Sequence, residues 1–260
     1  MGNLYPQHWA GYLGVFQIFL RLLGLFMLVP GFSHRSIPTR MKILMALVIS
    51  LALYPLLRVK LGSLPPDLWS VALVVLRESA IGLIMGFTAY ITFEAISLAA
   101  HFVGTQMGFG VGGLMDPVNG SQASVMVPLH AWILLMMFLL LDMHHQMIKL
   151  FVLSYDTAPG FELSLSSPGL LAEFVRISGK IFILAVQMAA PFTLLFFACN
   201  LAIGMLARLL PQMNIMLFSF PITIMLGLGF LYVIAPEVLD YCERVLGEMT
   251  TDVALILKEL

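Results

Sequence analysis

The chain has 260 residues, of which 60 % are hydrophobic and 10 % charged, with a formal net charge of −1 and a mean hydropathy of +0.99. A soluble domain carries roughly 25 % charged residues, so this composition excludes water as the main solvent and points to an all-α integral membrane protein. The small net charge, with no basic patch, excludes nucleic acid as a partner, because a phosphate backbone is met by concentrated Lys and Arg.

The first Lys or Arg is Arg21, so the positively charged start of a cleaved signal peptide is missing and the first hydrophobic segment is expected to stay in the mature protein. A helix crossing a ~30 Å hydrocarbon core needs about 20 largely apolar residues. Through the first half, charges interrupt most apolar runs. Arg21 splits residues 9–33, Lys42 and Arg58 leave 15 residues between them, and Glu78 and Glu94 leave another 15. Such pieces reach only about 22 Å at 1.5 Å per residue, short of a span. The exception is the uncharged run ahead of Asp142, long enough to cross although Pro128 interrupts it.

A charge in mid-bilayer costs at least ~2.5–3.5 kcal/mol unless it is partnered. Arg21, Glu78, Glu94, Asp142 and Lys149 therefore favour helices surrounded by protein over ordinary lipid-facing ones. Ser79, Gly82, Gly86 and Ala89 step by three, four and three, a small-residue stripe on one helical face that permits close backbone contact. The contact is either within the chain or with another subunit. Arg35, Arg40 and Lys42 suit lipid headgroups or a neighbouring subunit.

Six glycines fall in seventeen residues, at 104, 108, 110, 112, 113 and 120, in a stretch with a single acid and no Lys or Arg. So much backbone freedom predicts an irregular loop over about 104–124, which beside membrane helices must lie in protein or in water. It reads as a movable plug. Gly104 opens it, and Met107, Phe109, Val111, Leu114 and Met115 supply apolar surface. The thioethers of Met107, Met115 and Met126 suit either a yielding seal or plain core filling.

The cluster from Ser164 to Gly169 is turn-forming and places a boundary near residue 168, dividing the chain into 1–168 and 169–260. Beyond it, residues 181–207 and 209–236 are uncharged, with Arg208 at the bend, and predict a helical hairpin. Gln212 and Asn214 at that bend are turn or intersubunit hydrogen-bonding groups. Pro191 is expected to kink the first arm. Leu239, Cys242, Leu246, Met249, Val253, Ile256 and Leu260 then recur at helical spacing among acids, predicting an acidic amphipathic helix outside the hydrocarbon.

Catalytic patterns are missing. Asp142-Met-His-His145 lacks the His-Glu-x-x-His pair, and adjacent histidines should point about 100° apart, so no metal site is expected. The glycines have no following Gly-Lys-Ser/Thr, which leaves no nucleotide cradle, and no serine sits in a nucleophile elbow. No catalytic residue, cofactor or metal is assigned. The intramembrane charges leave a stand-alone polytopic secondary transporter as the rival class, although the two halves show no internal repeat.

The stretch from Val29 to Lys42, Arg77-Glu-Ser-Ala-Ile-Gly82 through Phe87, Gln106-Met-Gly108 followed by Asp116-Pro117, Asn200 to Gly204, and Pro211 to Asn214 on to Phe220-Pro221 together resemble the FliR family of the flagellar type III export gate. The resemblance covers nearly the whole chain in order. Residues 173–240 also resemble the FliQ family through Ala190-Pro191, Gly204, Gln212 and Asn214. The resemblance implies a FliP-like helical part followed by a FliQ-like hairpin, in a helical assembly with FliP-type and FliQ-type subunits. It also implies FlhA-type and FlhB-type neighbours, membrane lipids around the assembly, and unfolded flagellar proteins as substrates. The expected location is the bacterial inner membrane, at the flagellum basal body, with the glycine-rich loop helping to plug the closed channel and Gly82 and Gly86 in packing or subunit contacts.

Overall fold

The structure is a computed structural model that describes residues 7–33, 37–61, 68–109, 125–157, 168–209 and 215–259. These residues form eight helices: α1 (Gln7–Leu28), α2 (Thr39–Leu57), α3 (Leu68–Gln106), α4 (Met126–Leu140), α5 (Met143–Thr157), α6 (Pro168–Leu209), α7 (Ile215–Val233) and α8 (Ala235–Lys258). Four of them are long and apolar enough to cross a membrane, at Gly11–Leu28, Thr39–Leu57, Val71–Gln106 and Gly169–Leu209. Two bent pairs, α4 with α5 and α7 with α8, raise the count to six if each is one span.

Three of the four long spans lie in the first half, which corrects the expectation of short pieces there. Arg21, Lys42, Glu78 and Glu94 lie inside helices, and of the interrupting charges named there only Arg58 stands at a helix end, as the C-cap of α2. Arg21 sits inside α1 with 1 % of its side chain exposed and pairs with Glu78 of α3 at 2.6 Å, so each charge is neutralised across the helix contact instead of at a helix end. The run ahead of Asp142 is corrected in the other direction. Its helix α4 has 15 residues, about 22 Å at 1.5 Å per residue, and meets the length for a span only together with α5. Pro128 lies in the first turn of α4, where a missing N–H leaves no hydrogen bond unmade.

Both bends measure 66° and both have a local cause. At the first, Asp142 adopts a φ of 55°, a left-handed conformation that Asp tolerates better than most residues. At the second, Pro236 stands in the first turn of α8. Its missing N–H cannot continue the ladder of α7, and its ring would press on the carbonyl four residues back. Within α6 the helix runs on through Pro191.

The chain forms two compact units, neither of them one continuous stretch of sequence: Met1–Ile91 with Asp142–Ser178 and Gly247–Leu260, and Thr92–Leu141 with Gly179–Leu246. In the first, α1 and the first part of α3 pack through Ile18, Leu22, Leu25, Phe26, Ile81 and Met85, joined by Met147 and Phe151 of α5. Met249, Val253, Ile256 and Leu257 of α8 are buried in the same unit, while Leu239 is exposed. Arg176 of α6 donates to Asp252 of α8 at 2.8 Å. Helix α2 is 17 % buried against 44 % for α1, so most of its apolar surface faces outward. A long exposed apolar face of that kind suits lipid or another subunit and would aggregate in water.

The second unit centres on Val103 and Met107 of α3, Met126 of α4, and Ala189, Phe192 and Phe196 of α6, with Leu226 and Phe230 of α7 packed against them. The rings of Phe192 and Phe230 meet edge to face at 5.3 Å. On the other side of α6, Phe182, Val186, Leu194, Phe197, Leu201 and Met205 are exposed. Because lipid tails are as apolar as these side chains, close packing and interhelical hydrogen bonds hold such a bundle together more than exclusion of water does.

Candidate functional site

Helix α3 carries residues of both kinds singled out in the sequence, small ones in its middle and the start of the glycine-rich segment at its end. In the middle, Gly82 stands so close to α1 that a Cβ there would overlap the carbonyl oxygen of Arg21. At Gly86 a Cβ would come within 2.9 Å of both the Leu25 carbonyl oxygen and the Leu28 Cβ. From the other helix, a Cβ on Gly24 would lie 2.8 Å from the Ser79 carbonyl oxygen. The stripe therefore packs within the chain, backbone against backbone.

That close approach brings Arg21 beside α3. Its Nε donates to Glu78 at 2.6 Å, and its Nη1 donates to the Ser154 hydroxyl of α5 at 2.8 Å. The guanidinium lies 3.8 Å from the centre of the Tyr155 ring, a cation over a π face. Arg77 is 3.8 Å from the other Glu78 oxygen. Sequence reasoning marked Arg21 and Glu78 as charges needing partners; their 57-residue separation hid that each is the partner of the other.

At its C-terminal end α3 runs further than expected. Gly104 is buried within the helix, and the turn comes at Gly108, which has a φ of 89°. Phe109 N–H donates to the Gly104 carbonyl and Gly108 N–H to the Thr105 carbonyl, both at 3.1 Å. This six-to-one and five-to-two pair, with glycine in the left-handed position, is a Schellman C-cap. The segment starting at Gly104 thus has a helical root, and the chain leaves the helix at Gly108.

The root is held from two sides. Gln106 Nε2 donates to the Thr193 hydroxyl of α6 at 3.0 Å, and Thr223 of α7 donates to the Met107 carbonyl at 3.1 Å. Met107 is fully buried in the core of its unit, with Met126 beside it at 2 % exposure, so both thioethers fill core there. Phe109 packs against the same cluster. Val111, Leu114 and Met115, with Gln212 and Asn214, lie outside the described residues. Thr223 and Gly227 were missed from sequence, since one hydroxyl and one glycine inside an apolar run carry no pattern; the Phe220-Pro221 pair was the nearest signal.

At the bend before α5 the histidine rings do not diverge as their adjacency suggested. Their centres lie 4.1 Å apart, and the left-handed Asp142 brings its carboxylate onto them. His145 Nδ1 is 3.0 Å from Asp142 Oδ1 and His144 Nε2 is 4.0 Å from it. One ligand atom from each of the three lies within 4.8 Å of the others, a spacing that can hold a divalent ion. Asp142 and His145 are exposed, and the Asp142 carbonyl also accepts the N–H groups of His145 and Gln146. The cluster therefore also serves as the start of a helix.

Residues 12–249 match the family described as Bacterial export proteins, family 1. Over 247 residues the chain is 33 % identical to the flagellar biosynthetic protein FliR of Pectobacterium carotovorum subsp. carotovorum, covering 94 % of this chain and 93 % of that one. This chain belongs to the FliR family. The FliR of Escherichia coli (strain K12) is 29 % identical over 255 residues, 98 % of this chain and 97 % of its own, and that of Bacillus subtilis (strain 168) is 28 % identical over 217 residues. As a FliR-family member it is a component of the flagellar export apparatus, carried by apolar helices in the bacterial inner membrane.

Proposed function

We propose that this FliR-family chain forms part of the channel through which unfolded flagellar proteins are exported, and that its glycine-rich segment plugs the channel when it is closed. Residues 1–168 act as the FliP-like part and residues 169–260 as the FliQ-like hairpin and tail. The chain takes its place among FliP-type and FliQ-type subunits, with FlhA-type and FlhB-type proteins as neighbours. It makes and breaks no bonds; its work is to conduct and to seal. Energy comes from partners or from the membrane gradient.

The observation that carries this is the end of α3: a buried, doubly hydrogen-bonded root that stops at a left-handed glycine. A loop that must swing needs a fixed end and a hinge, and Gly108 after Met107 supplies both. The outward apolar faces of α2 and α6 add support, since they offer surface to neighbouring subunits. Val111, Leu114 and Met115 are assigned the seal, and Gln212 and Asn214 the intersubunit contacts of the hairpin.

Purification of the chain in mild detergent from cells expressing the whole apparatus tests the assembly. A defined hetero-oligomer containing small two-helix subunits is expected. A stable solitary monomer that moves a small solute in vesicles would overturn it in favour of a secondary transporter.

A further inference from the structure

We infer that α7 carries a socket, made by Phe220, Thr223 and Gly227, that fixes where and in which direction the glycine-rich segment leaves α3. This rests on the plug assignment above. The three residues step by three and four and so share one face of α7. Each meets a different part of the root. The Phe220 ring lies where a side chain on Gly108 would begin, 2.8 Å from that position. Thr223 Oγ1 holds the Met107 carbonyl at 3.1 Å. Gly227 leaves the notch that Met107 fills, for a Cβ there would stand 2.7 Å from Met107 Cε and 2.8 Å from both Met107 Cγ and Phe196 Cζ.

The chemistry of Thr223 makes this hold releasable. Its hydroxyl also lies 3.0 Å from the Phe220 carbonyl of its own helix. A hydroxyl has one hydrogen to donate, so the bond to Met107 can be exchanged for one within α7 without leaving the donor unmet. Only the Met107 carbonyl gives up a partner. Gln106, bonded to Thr193 of α6, braces the same turn from the preceding residue. Both arms of the helical hairpin therefore touch the root, one on each of two consecutive residues, and a shift of either arm reaches the loop through them.

The test uses the whole apparatus in cells, with small-solute leakage, export rate and recovery of the complex read together. Thr223→Val keeps the shape and removes the donor. It is expected to assemble normally and to raise leakage roughly three- to tenfold, the factor by which losing one buried hydrogen bond shifts a two-state equilibrium. Thr223→Ser, which keeps the donor, is expected to leak as little as the unaltered chain. As a second, independent variant, Gly227→Ala should also leak, and Met107→Ala in the same chain, which removes both the Cγ and the Cε that the new Cβ would strike, should restore part of the seal.

Deletion of residues 109–114 separates the two levels. If the deletion does not leak, the plug assignment itself fails. If it leaks while assembled Thr223→Val and Gly227→Ala both seal like the unaltered chain, the plug stands and the socket is overturned. Should Thr223→Val fail to assemble, the Gly227→Ala pair decides: leakage partly relieved by Met107→Ala supports the socket, and an unrelieved or absent leak contradicts it.

Discussion

The middle of α3 and its C-terminal end use glycine for opposite purposes. At Gly82 and Gly86 the missing side chain lets two helix backbones touch, and the buried Arg21–Glu78 pair lies in the same contact. At Gly108 the missing side chain lets the backbone take a φ of 89° and leave the helix, and what holds that turn is a cap, a packed methionine and two hydroxyl hydrogen bonds. One stretch is locked by contacts that cannot be exchanged; the other is held by contacts that can. Composition alone does not separate them, since each reads as a glycine in an apolar run. The neighbour decides: a carbonyl of α1 in one case, a ring and a hydroxyl of α7 in the other.

The comparison breaks first at the ion pair. Glu78→Gln leaves Arg21 charged, 1 % exposed and short of its counter-ion. Breaking a buried pair by removing one partner costs about 3–5 kcal/mol. Recovery of the folded chain from membranes should fall sharply, and replacing both residues at once, Arg21→Met with Glu78→Gln, should restore much of it. Normal recovery of the single variant would mean that the middle of α3 is not locked by this pair.

Gly82→Leu comes next. A side chain there overlaps the Arg21 carbonyl, a backbone atom that cannot swing aside. Overpacking costs about 1–3 kcal/mol, and the upper end applies where backbone is struck. Loss of recovered complex and of motility is expected, with Gly86→Leu close behind, because its nearest atoms are also backbone and a Cβ. Normal co-purification with normal motility in both would remove the stripe from the packing account.

Gly108→Ala should behave differently in kind. A left-handed φ costs a residue with a Cβ about 1–2 kcal/mol, and the added carbon also meets Phe220. The complex should still be recovered, since the locked middle is untouched, while export slows and leakage changes. Equal loss of recovery in Gly108→Ala and Gly82→Leu would erase the distinction. The smallest effect belongs to Gly229→Ala, where nothing lies within 4 Å. Helix propensity favours Ala by up to about 1 kcal/mol, so heat stability of the purified chain should rise slightly or stay level.

The helical class was legible from composition, and the tail helix from the spacing of Met249, Val253 and Ile256, because both follow from local pattern. The number of long helices was not. Arg21 and Glu78 looked like interruptions when each was read alone, and only packing shows that they cancel. Gly104 was placed in the loop because glycine count says nothing of where a helix is capped; the hydrogen bonds at Gly108 decide that. The histidine rings at 144 and 145 were set apart by ideal helix geometry, yet both lie inside α5 and their side chains turn toward each other, to a centre distance of 4.1 Å. Thr223 was invisible, for its role lies in a carbonyl 116 residues away.

The most direct test of the central claim is leakage through the assembled apparatus after deletion of residues 109–114. This removes the chain after Gly108, including the Phe109 ring and its capping N–H, while Gly108, Met107 and the locked middle of α3 stay in the sequence. Small-solute or ion leakage well above that of the unaltered complex, at equal recovery of the assembly, is the result predicted. Equal, low leakage in a fully assembled deletion complex would show that another element closes the channel and would contradict the plug.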